Sequence, residues 1–180
     1  MKNLKAPLCV FAALLAIPMA VQAKNYAGFD LCGPATAASV KSVVEGAGGK
    51  VARVIDNTYP DELIVIASNY PVDAAPRSVS VTLYKGKVVY VSVGNAGDMV
   101  RGIETKYGNK FTTSKKEEKV GVTNSHHFQD PEDASLELTI SQFEIAKTKG
   151  IFYSVNYACK DLYKEVEKAR EAYTASGAKK

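Results

Sequence analysis

The chain has 180 residues, 46% of them hydrophobic, which is enough for one domain with a real core. Its 23 basic and 19 acidic residues give a net charge of +4, too balanced for bulk attraction to nucleic acid or to an anionic membrane surface. Three cysteines without a C-x-x-C pair exclude a thioredoxin-like redox motif and leave no zinc-ligand spacing.

Residues 1–23 read as a cleavable export signal. Lys2 and Lys5 form a positive start, residues 8–20 an apolar run broken by Pro18, and Val21-Gln22-Ala23 a small-residue cleavage site before Lys24. The run is shorter than the ~20 residues a membrane span requires, so no span is expected after cleavage. Cys9 precedes most of the apolar run, the wrong place for a lipid-bearing cysteine. Cleavage lowers the net charge from +4 to +2, because Lys2 and Lys5 leave and no acid does. It also leaves two cysteines, Cys32 and Cys159. In a periplasmic or secreted protein these most simply form a disulfide; the alternative is two buried thiols. The expected organisation is a signal at 1–23, a single α+β domain at 24–176 and a frayed tail at 175–180.

The first helix is expected over 34–47, with Gly33-Pro34 at its start and Ala37, Val40, Val44 and Ala47 on one apolar face. Strands follow at 51–55 and 63–67, rich in β-branched residues and separated by a Pro60-Asp61 turn. Val79, Val81 and Leu83 alternate with polar residues, Lys85-Gly86 turns the chain, and Val89, Val91 and Val93 alternate on the way back. Asp98 is placed to cap a second helix that ends at Lys106-Tyr107-Gly108. The charge run 115–119 reads as a strand edge or hairpin tip, and 124–133 as polar and turn-like. Leu136, Leu138 and Ile140 alternate in a strand continuing to Ile145, Lys149-Gly150 turns it back into 151–155, and a closing helix runs over 157–174.

The two Lys-Gly turns lie 64 positions apart, and so do the expected helix starts Pro34 and Asp98. The chain therefore reads as a duplicated helix–four-strand unit, about 31–96 and 97–157, plus a C-terminal helix. The expected fold is an antiparallel sheet with the helices on one face, the disulfide holding the first and last helices on the same side.

Gly28-Phe29, residues 36–41, Lys106-Tyr107-Gly108 and the segment 151–163 give the chain a layout that resembles small exported bacterial α+β proteins. The plan is similar to that of β-lactamase inhibitor proteins and small outer-membrane assembly lipoproteins, although this chain lacks their lipid-bearing cysteine and has no tryptophan. The resemblance implies a protein-binding or inhibitory role and carries no site residue.

The residues offer few chemical motifs, and none for a cofactor. His126 and His127, with Asp130, Glu132 and Asp133 nearby, can hold a metal if they lie in a loop; in a strand the two rings point apart. Gly94-Asn95-Ala96-Gly97 precedes a helix and can present N–H groups to an anion, but it matches no phosphate-binding fingerprint. Glu45, Glu62, Asp98 and Glu104 are candidate acids for a hydrolytic pair, and no serine sits in a nucleophile elbow. Ten tyrosines and no tryptophan suggest Tyr84 and Tyr90 as an exposed partner-binding pair. The leading expectation is an exported module that binds an envelope or periplasmic protein. The alternatives are a hydrolase of a cell-envelope polymer and a small-molecule or metal carrier.

Overall fold

A computed structural model describes residues 24–56, 58–108, 110–130 and 133–177; residues 1–23, read from sequence as an export signal, Glu132 and the last three residues of the chain lie outside them. A hairpin of β1 (Lys24–Tyr26) and β2 (Phe29–Leu31) leads to α1 (Ala37–Gly46). The first meander is β3 (Lys50–Asp56), β4 (Glu62–Val72), β5 (Ala75–Tyr84) and β6 (Lys87–Gly94). After α2 (Gly97–Tyr107) comes the second, β7 (Thr112–Glu118), β8 (Gly121–Gln129), β9 (Leu136–Ile145) and β10 (Ile151–Cys159), and then α3 (Lys160–Ala175). Together they form one antiparallel eight-stranded sheet in the order β3-β4-β5-β6-β10-β9-β8-β7, so the meanders join through their last strands. Among the described residues no helix is long and apolar enough to cross a membrane.

Local chemistry explains most boundaries. Lys85 and Gly86 both have positive φ, 49° and 73°, as the two-residue turn joining β5 to β6 requires. The first helix starts later than Gly33-Pro34 suggests. Thr36 caps it, accepting from the Ser39 N–H while Ser39 Oγ accepts from the Thr36 N–H. Residues before the cap turn at Cys32 (φ 67°) and then run along the edge that β6 offers: the Cys32 N–H donates to Val88 O (2.8 Å) and the Ala35 N–H to Gly86 O (2.8 Å). The closing helix likewise begins at Lys160, since Tyr157, Ala158 and Cys159 are still paired with β9. The largest departure is β8. Residues 124–129, expected to be turn-like, instead continue a nine-residue strand from Gly121, because β7 and β9 pair with it on both sides and their ladders outweigh its low apolar content.

Strand alternation divides the sheet into two unlike faces. One carries Val65, Ala67, Val79, Val81, Val91, Val93, Leu138, Ile140, Phe128 and Val155, and packs under the β1–β2 hairpin, Val40 and Val44 of α1, and the apolar side of α2. The helices are not all on that face. α3 packs on the opposite one, its Val166 against Tyr84 and Val89. The physical cause is a bulge in β6. Thr82 pairs with Tyr90 but Leu83 with Val88, so Val89 is an extra residue, and adjacent valines are buried on opposite faces. That second apolar spot gives the stripe Leu162, Val166 and Ala169 somewhere to bury while the first face is already filled. Arg170 locks the position, its Nε and Nη2 2.9 and 2.5 Å from the Glu62 carboxylate oxygens of β4.

Cys32 and Cys159 are joined, with Cα atoms 5.4 Å apart. The bond does not hold two helices on one side, as expected from sequence. It ties the chain after β2 to the end of β10, where the segment 32–35 takes over the β6 edge that β10 leaves.

Candidate functional site

α3 covers its face of the sheet only over β4–β6. Across β10, β9, β8 and β7 the part of that face nearer α3 is lined mainly by polar side chains, while Phe143 and Phe152 lie on it towards the opposite end. Alternation places Ser114, Ser125, His127, Glu137, Thr139, Ser141, Ser154 and Asn156 there, with Ser92 and Tyr90 at the border. Lys160, Tyr163, Lys164 and Glu167 of α3 wall one side, enclosing a cleft of about 350 Å³.

The floor is hydrogen-bonded across strands. Ser92 Oγ donates to Asn156 Oδ1 (2.6 Å), Asn156 Nδ2 donates to Ser141 Oγ (3.3 Å), and Ser141 Oγ lies 3.0 Å from Ser125 Oγ. Towards β7, His127 is held on both nitrogens. Nε2 is 2.8 Å from Ser114 Oγ, and Nδ1 is 3.1 Å from Glu137 Oε1 and 3.2 Å from Thr139 Oγ1. A hydroxyl, an imidazole and a carboxylate thus stand in line, the arrangement in which a histidine takes a proton from a serine while an acid orients it. The β8 and β9 backbones are paired on both sides. Ser114 itself lies on β7, the edge strand, whose outer side pairs with no other strand among the described residues, while Lys160 lines the cleft beside His127 and Glu137.

The two histidines point apart, as a strand dictates. His126 lies on the α1–α2 face, its ring stacked on Phe111 with centroids 4.5 Å apart. Asp130 accepts from the Tyr26 hydroxyl at 2.6 Å and from the Asp133 N–H at 3.1 Å, which ties it to the β1 strand and its own loop. Among the described residues no three histidine, cysteine or acidic side chains are grouped to hold a metal; Glu132 lies outside them.

Tyr84 and Tyr90 are not an exposed pair. Tyr84 is buried beneath α3, and Tyr90 stacks on Tyr163 with centroids 5.2 Å apart. Burial pushes the Tyr90 hydroxyl well above its ordinary pKa, and the ring reaches the cleft only at its border. The Gly94–Gly97 turn is organised internally. Buried Arg77 of β5 donates to Asn95 O and, at 2.7 Å, to Asp98 Oδ2. Hydrogen bonding to Arg77 holds the Asp98 carboxyl below the usual carboxylate range. The helix begins earlier than expected, with Ala96 at its start and no side-chain cap, so Asp98 sits inside the first turn, where Arg77 and first-turn N–H groups hold its carboxylate. The candidate acids do not converge. Glu45 pairs with Lys41 along α1, Glu62 with Arg170, Asp98 with Arg77, and Glu104 lies on α2.

Ser114, Glu137, Ser141 and Asn156 were missed by sequence reasoning. The period-two alternation of β9 marked Glu137 and Thr139 as facing away from the core, but nothing marked their neighbours on β7, β8 and β10. No family model, curated protein or solved structure matches the chain.

Proposed function

We propose that the protein is exported to the periplasm or beyond and acts as a binding module, with the bare polar face of β7–β10 beside α3 as its recognition surface for an envelope or periplasmic protein. The observation that carries this reading is the half-covered face. Its hydroxyls, amide and charged groups are held by one another in fixed positions, ready to bond the backbone of a partner segment laid along the groove. The 127-residue disulfide loop and the signal-like residues 1–23 support export. The repeated order of helix and four strands, with Ser92 and Asn156 paired at the seam and 64 positions apart, supports a duplicated unit. Relatives whose two halves show unrelated residue profiles would count against that duplication.

A photo-crosslinking residue at Ser141 should give one discrete adduct in cells, lost when Thr139→Arg fills the groove, while the same residue at Lys168 on the outer side of α3 gives none. Equal adducts at both positions, or none at Ser141, would remove the reading. Export is checked separately, by mass spectrometry for a chain beginning at Lys24 with no alkylatable thiol.

The Ser114–His127–Glu137 line favours a second reading, a serine hydrolase acting on an ester or amide of an envelope polymer. A fluorophosphonate probe should then label the wild type and spare both Ser114→Ala and His127→Ala. Absence of labelling in the wild type ends it.

A further inference from the structure

The far end of the second meander carries a cluster that the groove does not use. The β7–β8 hairpin tip and the β9–β10 turn lie side by side, since the Ala146 N–H donates to Val120 O at 3.0 Å and Gly121 pairs with Ile145. Val120 at the hairpin tip and Ile151 and Phe152 at the start of β10 stand 63%, 50% and 51% exposed there, the last two on opposite faces of this end of the sheet. Behind them the strip continues: Phe152 pairs in register with Phe143, whose ring covers Gly121 so closely that a Cβ on that glycine would lie 2.7 Å from it. Large apolar side chains grouped at protruding turns, rather than scattered, mark a surface that meets something less polar than water.

Charge identifies the occupant. Glu117, Glu118 and Glu144 are each paired, with Lys115, Lys116 and Lys149. Lys119 and Lys147, beside Val120 and in the β9–β10 turn, have no ion pair among the described residues, so the net charge of the tip is positive although the whole chain is nearly balanced. Two narrow turns offer far less contact than a stable protein interface needs. Their arrangement, apolar tips flanked by lysines, is that of a shallow insertion into a bilayer interface. We infer that the tip formed by Val120, Ile151 and Phe152, with Lys119 and Lys147, docks on an anionic phospholipid surface. This orients the protein with α3 and its end of the groove pointing away from the lipid, since α3 leaves from the other end of β10.

The absence of tryptophan makes the test position-specific. In the full chain, Phe152→Trp supplies a sole tryptophan at the tip and Val54→Trp one on the opposite edge strand, which separates tip insertion from any contact made by residues 1–23. With vesicles of phosphatidylcholine and phosphatidylglycerol, emission from position 152 should move to the blue and that from position 54 should not. Lys119→Glu/Lys147→Glu should weaken the response at least about tenfold, and so should pure phosphatidylcholine. Val120→Trp gives an independent reading if Phe152→Trp perturbs the strand. No shift from either tip position overturns the inference. A blue shift that appears without vesicles and grows with protein concentration also overturns it, assigning the patch to a second copy of the chain.

Discussion

Ser92 and Asn156 face each other in register across the seam between the two meanders, with the serine hydroxyl 2.6 Å from the amide oxygen. Asn156 is 5% exposed, and its amide nitrogen reaches both Ser141 and Ser154. A buried amide whose oxygen and nitrogen are both occupied fixes the neighbouring hydroxyls, and stranding one of them costs more than a surface bond returns. Asn156→Ala should therefore destabilise the protein by about 1–3 kcal/mol in urea unfolding. Ser92→Ala combined with Asn156→Val removes donor and acceptor together, and should cost less than Asn156→Ala alone. A double variant worse than the single would mean that the seam depends on shape and not on this bond.

α3 is held by one buried charged contact, beside an exposed pair of Glu165 with Lys85 at 4.0 Å. The Glu62 side chain is only 2% exposed and meets Arg170 through two bonds, while the guanidinium also lies 5.5 Å above the Tyr59 ring. Removing the cation leaves a buried carboxylate without its partner, so Arg170→Ala should cost about 3–5 kcal/mol. Replacing both ends with leucine removes the buried charge as well as the bond and should restore most of the loss. Urea midpoints for Arg170→Ala and for the double leucine variant decide this, and equal losses in the two would contradict it.

Much of the scaffold was legible because its local chemistry agrees with its tertiary role. The β5–β6 hairpin shows this best: valines alternate on both strands, and Lys85-Gly86 fits a turn that needs two positive φ values. The buried stripe of α1 and the alternation of β9 were legible for the same reason. Which face α3 chooses was not. Helical periodicity shows that Leu162 and Val166 want burial, but the bulge at Val89 that provides the place is set by a register shift with no local sequence mark. β8 was missed because one of its faces is bare and the other is covered partly by Phe111, so the apolar alternation that reveals a strand is nearly absent. The candidate site shares that cause. Ser114 and Glu137 lie 13 and 10 positions from His127 and meet it only because three strands are correctly paired.

The disulfide spans 127 positions and closes the point where β10 gives up the β6 edge. Chain-entropy reasoning for a loop of that length sets a ceiling of about 5 kcal/mol on its contribution. Cys32→Ser/Cys159→Ser should lose a substantial part of that. The loss should be reproduced by reducing the wild type, and hydrogen exchange should rise first in β1, β2 and the first turn of α3. Uniform acceleration across β3–β5 instead would show that the bond acts on the unfolded chain alone.

Alkaline pH tests the tyrosine packing. Tyr157 packs against Tyr26 with ring centroids 4.6 Å apart and planes tilted by 34°, and burial, reinforced by the nearby Tyr107 and Asp73, pushes its hydroxyl up to about 12. Burial and the bond to Asp130 push Tyr26 higher still. A tyrosine whose folded pKa exceeds its unfolded value keeps its proton longer in the native state, so its contribution is complete below about pH 10 and is lost as pH rises towards the folded value. Between about pH 10 and 12 each such residue should lower stability by about 1.4 kcal/mol per pH unit. Tyr157→Phe cannot ionise, so its unfolding free energy should fall less steeply than that of the wild type across this window by that increment. Lysine deprotonation affects both proteins alike and cancels in the comparison. Urea unfolding at pH 9, 10 and 11, followed beside tyrosinate absorbance, reads the difference directly; parallel slopes would show that the Tyr157 hydroxyl reaches water in the folded protein.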